Sequence, residues 1–213
     1  MNLFDRYAPG DAFSYGALPW QYLGLAALRA VNASLSSNLT FTELFRRYFV
    51  PAAQDEDCDF DDTTITPVGN KWVAGGFYTT PKDGAALAEI LRTGMCGDHQ
   101  VLSASALETM RSNVGLAAIY AQSNPDNSDP ALDYGMGLWI SDSRNAAGEI
   151  VSPDVAEDDL YLGIGADGAV IFFLPGANWS AYLHLSKSLS YQDAVNLAIT
   201  LAPLITDALQ NPD

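Results

Sequence analysis

The sequence predicts an α/β fold of the α+β type, in which an antiparallel sheet is flanked by helices and accompanied by a helical subdomain. Three observations support this prediction. Helix-length segments with capping signals dominate the first part of the chain, short β-type runs separated by Gly, Pro and Asn follow residue 134, and no strand-helix-strand repeat is present. We therefore expect one domain over 1–213, mainly helical at 1–125, with sheet strands and a C-terminal helix at 126–213.

The first two predicted helices precede an acidic segment. The apolar stretch from Trp20 to Leu28 is long enough for a helix, and it predicts a core helix that buries most of its surface. The stretch 42–49 places its apolar residues on one face at helical spacing, and Pro51 ends it. Six of the eight residues from Asp55 to Asp62 are acidic, which predicts a solvated loop.

Two further helices are predicted from capping signals. Thr80 can cap a helix that runs from about Pro81 to Thr93, because proline suits the first turn of a helix. Gly94 ends this helix, since glycine readily adopts the left-handed conformation found after helix ends. Ser105 and Glu108 give a second start signal of the capping-box type.

The last part of the chain predicts strands followed by a helix. The β-type runs are 137–140, 169–174 and 181–185, and their short connectors predict an antiparallel sheet. A final helix is expected to start at Ser190 and to continue to about Leu209, with a kink at Pro203.

The charge balance narrows the classes of partner. Acidic residues outnumber basic ones 26 to 10, which gives a formal net charge of −16. Such a surface repels phosphate backbones and anionic membranes, so neither nucleic acid nor membrane is expected as a partner. No apolar run approaches the roughly 20 residues that a membrane-spanning helix needs.

Three sequons fit the acceptor pattern for N-linked glycosylation in secreted chains: Asn32-Ala-Ser34, Asn38-Leu-Thr40 and Asn178-Trp-Ser180. A secreted or extracytoplasmic location is therefore expected. The alternative is chance, because three matches are only a mild excess for this composition.

The two cysteines, Cys58 and Cys96, have no His or Cys nearby at metal-ligand spacing, so no metal site is expected. In an oxidising compartment they could form one disulfide, which would stabilise the fold by up to about 4 kcal/mol through closure of a long loop. The alternative is a pair of unrelated buried thiols.

Four segments, taken in order, resemble the family of class C β-lactamases, D-alanyl-D-alanine carboxypeptidases and related esterases. Residues 9–15 with 22–24 resemble the family's PGxxFxYSN stretch and its following helix, and residues 75–83 resemble GGLYSTAxDL. Residues 101–103 with Met110, and then 134–139, resemble LLSxxTxxxM and YGLGW. Gly163-Ile164-Gly165, leading into 168–175, resembles the HGG or KTG motif that enters a sheet strand.

The resemblance implies a β-lactamase/transpeptidase-like fold and acyl transfer by a serine nucleophile, with a lysine one turn later and a tyrosine that shuttles the proton. The lysines are Lys71, Lys82 and Lys187, and no serine stands three residues before any of them, so SxxK is absent. In the family the nucleophile precedes the tyrosine motif, which lies here at Tyr15. We therefore expect a domain that is N-terminally incomplete, inactive alone and prone to associate through exposed core surface.

The resemblance also implies the remaining site residues. Tyr15 takes the place of the family's proton-shuttling tyrosine, while Ala17 replaces the asparagine of its motif. Gly163 replaces the basic or hydrogen-bonding residue of the third motif, Gly165 is retained, and a backbone N–H near Ala166 would serve the oxyanion hole. The structural alternatives are a packed aromatic residue at Tyr15 and a bulge or close strand approach at the two glycines.

Two function classes follow from these residues. The first is a serine hydrolase that acts on a small-molecule or peptide-like substrate without a cofactor, of which this sequence carries only a part. The second is a non-catalytic pseudoenzyme or a module that binds a ligand or partner, which the altered second and third motifs favour.

Three other patterns point to rival chemistry. The residues from Gly163 to Gly168 satisfy GxGxxG, but the β-type run that follows argues against a dinucleotide site, which needs a helix there. The alternating Asp residues near Asp57 lack the glycine and distal glutamate of an EF-hand. Neither His99 nor His184 is accompanied by a GxSxG nucleophile motif.

Overall fold

A computed structural model describes residues 17–48, 60, 64–65, 77–112, 132–141, 160–165, 168–185 and 191–212. The elements in these residues confirm the predicted mixture of helices and antiparallel strands. In chain order they are α1 (Ala17–Leu35), α2 (Phe41–Tyr48), β1 (Thr64–Ile65), β2 (Phe77–Tyr78), α3 (Pro81–Thr93), β3 (Met95–Cys96), β4 (His99–Gln100), α4 (Ala104–Arg111), β5 (Leu132–Tyr134), β6 (Trp139–Ser141), β7 (Leu160–Ile164), β8 (Ala169–Phe173), β9 (Ser180–His184) and α5 (Tyr191–Gln210).

The main sheet has five strands in the order β5-β6-β7-β8-β9, and every neighbouring pair is antiparallel. The three predicted β-type runs correspond to β6, β8 and β9. Strands β5 and β7 contain Asp133 and Gly163, residue types that are depleted in strands, so local propensity alone does not indicate them. Their pairing with neighbouring strands makes them part of the sheet.

Helices cover both faces of the sheet. Helix α3 packs against β8 and β9, and α5 packs against β7 and β8. Along β8, Val170 and Phe172 belong to the core cluster that includes α5, whereas Phe173 belongs to a second cluster that includes Leu91 of α3. Successive strand residues point to opposite faces, so this alternation places β8 between the two helices.

Helix α5 approaches the sheet through small side chains. Ala194, Ala198 and Ala202 are almost fully buried against the core, together with Val195. These residues recur at three- and four-residue spacing and therefore share one face of the helix. Pro203 lies inside the helix, and the kink predicted there stays a prediction.

Helix α3 has the predicted bounds. The Oγ1 atom of Thr80 accepts a hydrogen bond of 3.2 Å from the N–H of Asp83, and Pro81 opens the helix. Gly94 ends it at φ +80°, and its N–H donates to the carbonyl of Ile90. A β-carbon at Gly94 would also lie 2.5 Å from the carbonyl oxygen of Leu102, so both conformation and space require glycine.

The predicted start of α4 is wrong by two residues. Ser103, rather than Ser105, caps the helix, and its Oγ accepts a hydrogen bond from the N–H of Ala106. Ser103 has the extended backbone of an N-cap, whereas Ser105 lies in the first turn, with its Oγ 3.0 Å from that of Ser103.

The prediction of a core helix at 20–28 is also wrong in its burial, although α1 is a helix. Tyr22 and Leu23 are 67% and 60% exposed, and among residues 22–35 only Gly24 and Leu28 are buried. Apolar residues in this helix do not form one narrow stripe, so a single packed face leaves several of them in solvent.

One residue of the predicted solvated loop is buried. Phe60 is only 3% exposed and packs with Ile90 and Cys96 in a small core cluster. Its ring meets that of Phe45 edge to face, with centroids 6.0 Å apart. Burying the apolar ring of Phe60 is favourable even though its neighbours in the sequence are acidic. The other residues of 55–62 lie outside the described residues.

Candidate functional site

The third motif of the resemblance lies at the hairpin between β7 and β8. Ile164 pairs with Val170, and the N–H of Gly165 donates to the carbonyl of Ala169 over 2.8 Å. Gly168 closes the turn at φ +85°. A dinucleotide-binding site needs a helix after GxGxxG, so that the amino end of the helix can bind the pyrophosphate. Strand β8 follows this turn directly, so the geometry excludes such a site here.

The two glycines of this motif have different surroundings. A β-carbon at Gly165 would lie 3.3 Å from the β-carbon of Ala169, which is a tight contact. A β-carbon at Gly163 would lie 3.7 Å from that of Ile171, which is an ordinary contact, and the backbone there has no positive φ. Local packing therefore favours glycine at 165 but leaves room for a side chain at 163.

The remaining predicted catalytic positions cannot be placed against this hairpin. Tyr15 and Ala166 lie outside the described residues, and Ala17 is the first residue of α1. The described residues therefore bring Gly163 and Gly165 together, without the predicted tyrosine or the oxyanion-hole N–H.

Two other motifs of the resemblance form a structural junction. The N–H of Met136 donates to the carbonyl of Met110 at the end of α4 over 2.9 Å. A β-carbon on Gly135 would lie 2.2 Å from that same carbonyl oxygen, so only glycine fits. The turn between β5 and β6 thus satisfies a carbonyl that the last turn of a helix leaves without a helical partner. This contact explains the first glycine of the YGMGLW segment.

Arg111, which sequence reasoning missed, extends this junction into the sheet. Its guanidinium donates to the carbonyls of Leu91 and Arg92 at the end of α3. It also lies over the rings of Tyr161 and Phe173, 5.8 and 5.4 Å from their centroids. Partial burial is the main cause that lowers the pKa of Arg111. The sequence signal was a basic residue in the last turn of α4, which is common at helix ends.

A second polar cluster connects α3 to the start of β9 and to the turn before it. Glu89 accepts hydrogen bonds from Arg92 and from the Oγ of Ser180, the latter over 2.9 Å. Arg92 also donates to the carbonyl of Ala177. The hydrogen bonds from Arg92 are the main cause that lowers the pKa of Glu89, and partial burial opposes them. This cluster holds the helix on the sheet.

Tyr182 occupies the middle of β9 on the side of α3. A β-carbon at Gly84 would lie 2.6 Å from its ring, so the glycine lets the helix approach the aromatic face. Burial raises the pKa of Tyr182 above its ordinary value.

Cys96 is buried in the cluster with Phe60 and Ile90, and its sulfur is in a disulfide. The other cysteine of the sequence, Cys58, lies outside the described residues, so the pairing of the two remains a prediction. The described residues contain no group of three or more His, Cys, Asp or Glu side chains that could hold a metal ion. Of the described helices, none is both long and apolar enough to cross a membrane.

The predicted glycosylation positions differ in their environments. Asn38 and Asn178 are exposed, whereas Asn32 is half-buried and uses its side-chain amide in hydrogen bonds within the fold. Their occupancy remains a prediction.

Comparison with known proteins identifies the fold. No family model matches the sequence, and no curated protein matches it. Among solved structures, the chain is similar to a protein from Bacteroides dorei DSM 17855 that is provisionally described as a beta-lactamase, with a TM-score of 0.54 and 18% sequence identity. The similarity covers 91% of this chain and 60% of that protein. The chain therefore has a β-lactamase-like fold and spans less than two thirds of the neighbour's length.

Proposed function

We propose that this chain is part of a β-lactamase-related serine hydrolase that transfers acyl groups from amide or ester substrates. The observation that carries the proposal is the extent of the fold similarity, which includes 91% of this chain but 60% of the neighbour. The nucleophile and its lysine would come from residues outside this sequence, since no SxxK occurs within it. This chain would supply Tyr15 and the hairpin after β7.

The geometry of the hairpin supports this role. Gly165 and Gly168, which flank residues 166–167, are joined by a backbone hydrogen bond, and β7 lies between β6 and β8 in the sheet. A backbone N–H that a fold holds in place can stabilise an oxyanion without reorganisation during the reaction. The N–H near Ala166 is the proposed donor, and the phenol of Tyr15 is the proposed proton shuttle.

Hydrolysis assays test the proposal directly. We expect the 213-residue chain to hydrolyse neither a chromogenic β-lactam nor a p-nitrophenyl ester above the background rate. Adding an upstream segment that contains SxxK, if the native reading frame encodes one, should produce activity that Tyr15→Phe reduces by roughly 10²–10⁴-fold, the range of general acid-base catalysis. Activity of the 213-residue chain that disappears in Tyr15→Phe would contradict the requirement for an external nucleophile.

A specific observation favours the alternative, a non-catalytic module that binds a ligand or partner. Nothing in the local packing requires glycine at position 163, because a side chain there would make only an ordinary contact with Ile171. The absence of the basic or hydrogen-bonding side chain is therefore a change in the site rather than a steric requirement of the fold.

Two variants separate the alternatives in the longest native reading frame. Gly163→His introduces the first residue of the HGG pattern, and Gly163→Ala controls for the loss of glycine alone. If hydrolysis appears or rises only with histidine, the natural protein has lost catalytic function at this position. If the natural sequence is already active and histidine adds nothing, the pseudoenzyme alternative fails.

A further inference from the structure

The three sequons of this chain occupy different environments, although their sequence patterns are equivalent. Asn32 lies near the end of α1, Asn38 lies in the connection to α2, and Asn178 lies in the turn before β9. An N-linked oligosaccharide requires an asparagine side chain that can point into solvent, because the glycan is large and hydrated. The side-chain contacts of each asparagine therefore decide which sequons can carry a glycan in the folded protein.

The amide of Asn32 is part of the fold. Its Nδ2 donates to the carbonyl of Leu39 over 2.9 Å, and its Oδ1 accepts from the N–H of Leu39 and the Oγ of Ser37, each over 2.8 Å. These bonds hold the connection between α1 and α2 against the last turns of α1. Glycosylation of Nδ2 would replace one of its two hydrogens with a sugar and place that bulky group in a half-buried site.

Asn38 lies within the same connection, but unlike Asn32 it is exposed. Its neighbours are both anchored, since Ser37 donates to the backbone carbonyl of Asn32 and Leu39 is bonded to the Asn32 side chain. Thr40 then caps α2, exchanging hydrogen bonds with Glu43. The side chain of Asn38 is exposed between these fixed points, so a glycan there would displace none of these bonds.

Asn178 repeats this arrangement in the turn before β9. On one side, the N–H of Ala177 donates to the carbonyl of Leu174, and the carbonyl of Ala177 accepts from Arg92. On the other side, Trp179 is buried and its Nε1 donates to Thr206 over 3.0 Å. Asn178 itself is exposed, so its amide can carry a large group while the turn keeps its contacts.

We propose that Asn38 and Asn178 are the acceptor sites for N-linked oligosaccharide in the folded protein, and that Asn32 is a structural residue. The proposal is independent of whether the protein is a hydrolase. Under this proposal the hydroxyls of Thr40 and Ser180 are each part of a sequon before folding. In the folded protein, Thr40 caps α2 and Ser180 donates a hydrogen bond to Glu89.

Glycopeptide mapping tests the acceptor sites. The full chain is secreted from a eukaryotic host behind a cleaved leader, the monomeric fraction is isolated, and glycans are removed enzymatically in heavy-oxygen water to mark each site. We expect marks at Asn38 and Asn178, each lost in Asn38→Gln or Asn178→Gln, and none at Asn32. A mark at Asn32 in the folded fraction, or none at the other two sites, would overturn the proposal.

A stability measurement on unglycosylated protein from bacteria tests the structural role without secretion. Asn32→Gln should lower the Tm by at least roughly 2–4 °C, because the longer side chain cannot keep the same set of hydrogen bonds. The matched control is Ser34→Ala, which destroys the same sequon at an exposed position and should leave the Tm within about 1 °C. Equal Tm values for the two variants would overturn the structural assignment of Asn32.

Discussion

At the scale of single residues, the end of α1 contains an unfavourable backbone conformation. Ser36 has φ +51°, and the N–H groups of Ser36 and Ser37 donate to the carbonyls of Ala33 and Asn32. This pattern is the Schellman motif, whose left-handed position is usually occupied by glycine because a β-carbon is strained there. The chain has a serine at this position, and its side chain is exposed.

We therefore predict that Ser36→Gly stabilises the protein by about 0.5–1 kcal/mol, since relief of strain exceeds the entropy that glycine adds to the unfolded chain. Urea unfolding followed by fluorescence measures the change. Ala30→Gly is the control, because glycine in the exposed interior of α1 should destabilise the protein by about 1 kcal/mol. A loss of stability with Ser36→Gly would show that its positive φ is not the dominant effect.

The motif glycines provide a second prediction at this scale. Gly135→Ala places a β-carbon against the backbone carbonyl of Met110, which can move only if the end of α4 moves. We expect a loss of about 2–4 kcal/mol in the free energy of unfolding. Gly163→Ala, which makes only an ordinary contact, should change it by less than about 1 kcal/mol. Similar losses for both variants would contradict the steric explanation of the YGMGLW segment.

At the scale of elements, polar contacts fix the helices on the sheet. Hydrogen bonds between Glu89 and Ser180 and between Arg92 and Ala177 connect α3 to β9 and to the turn before it. Arg111 connects the ends of α3 and α4 to the rings of Tyr161 and Phe173. These contacts join residues that are up to 91 positions apart in the sequence. They therefore set the relative placement of elements whose local sequences specify only helix or strand.

The Glu89 cluster predicts a pH dependence of stability. The pKa of Glu89 is lower in the folded protein than its ordinary value of 4.5, chiefly because Arg92 donates hydrogen bonds to the carboxylate. A lowered folded pKa contributes stability above pH 4.5 that is lost as pH falls through the folded pKa. Denaturant unfolding between pH 7 and pH 3 should therefore show a smaller acid loss in Glu89→Gln than in wild type. Parallel curves for the two proteins would remove Glu89 from the acid response.

At the scale of the whole molecule, the sheet has a core on each face, while other apolar residues stay exposed. Leu204 and Leu209 of α5 are 60% and 54% exposed. Tyr22 and Leu23 of α1 are exposed to a similar extent. Large apolar side chains that are exposed in this way can add to an association surface. We expect the isolated chain to associate reversibly or aggregate at micromolar concentration, which light scattering after size exclusion measures. A monodisperse monomer with one cooperative melting transition would contradict this expectation.

The disulfide of Cys96 gives a further test at this scale. If its partner is Cys58, the bond attaches the acidic segment to the cluster of Phe60 and Ile90, and Cys96→Ser should cost about 2–4 kcal/mol. Addition of a reductant should then lower the stability of the wild-type protein to a similar extent but leave Cys96→Ser unchanged. Mass spectrometry of unreduced peptides identifies the partner, and a free thiol at Cys58 would refute the pairing.

The sequence by itself determined the features that rest on local chemistry. Thr80, Pro81 and Gly94 specify the bounds of α3 because a cap, a first-turn proline and a left-handed glycine act within one helix. The β-branched and aromatic run of β8 predicts a strand, and the short connectors predict antiparallel pairing. The order of four short motifs predicted a β-lactamase-like fold, which the similarity to a solved structure supports.

Only the tertiary structure decided which of these residues are buried and what the motifs contact. Apolar composition could not show that α1 exposes Tyr22, or that Phe60 in an acidic segment is buried, because burial depends on what packs opposite each side chain. The reason for glycine at 135, the room for a side chain at 163 and the engagement of the Asn32 amide all depend on atoms from other segments. Sequence periodicity predicts which face of its own helix or strand a side chain lies on, whereas contacts between elements form only when the chain has folded.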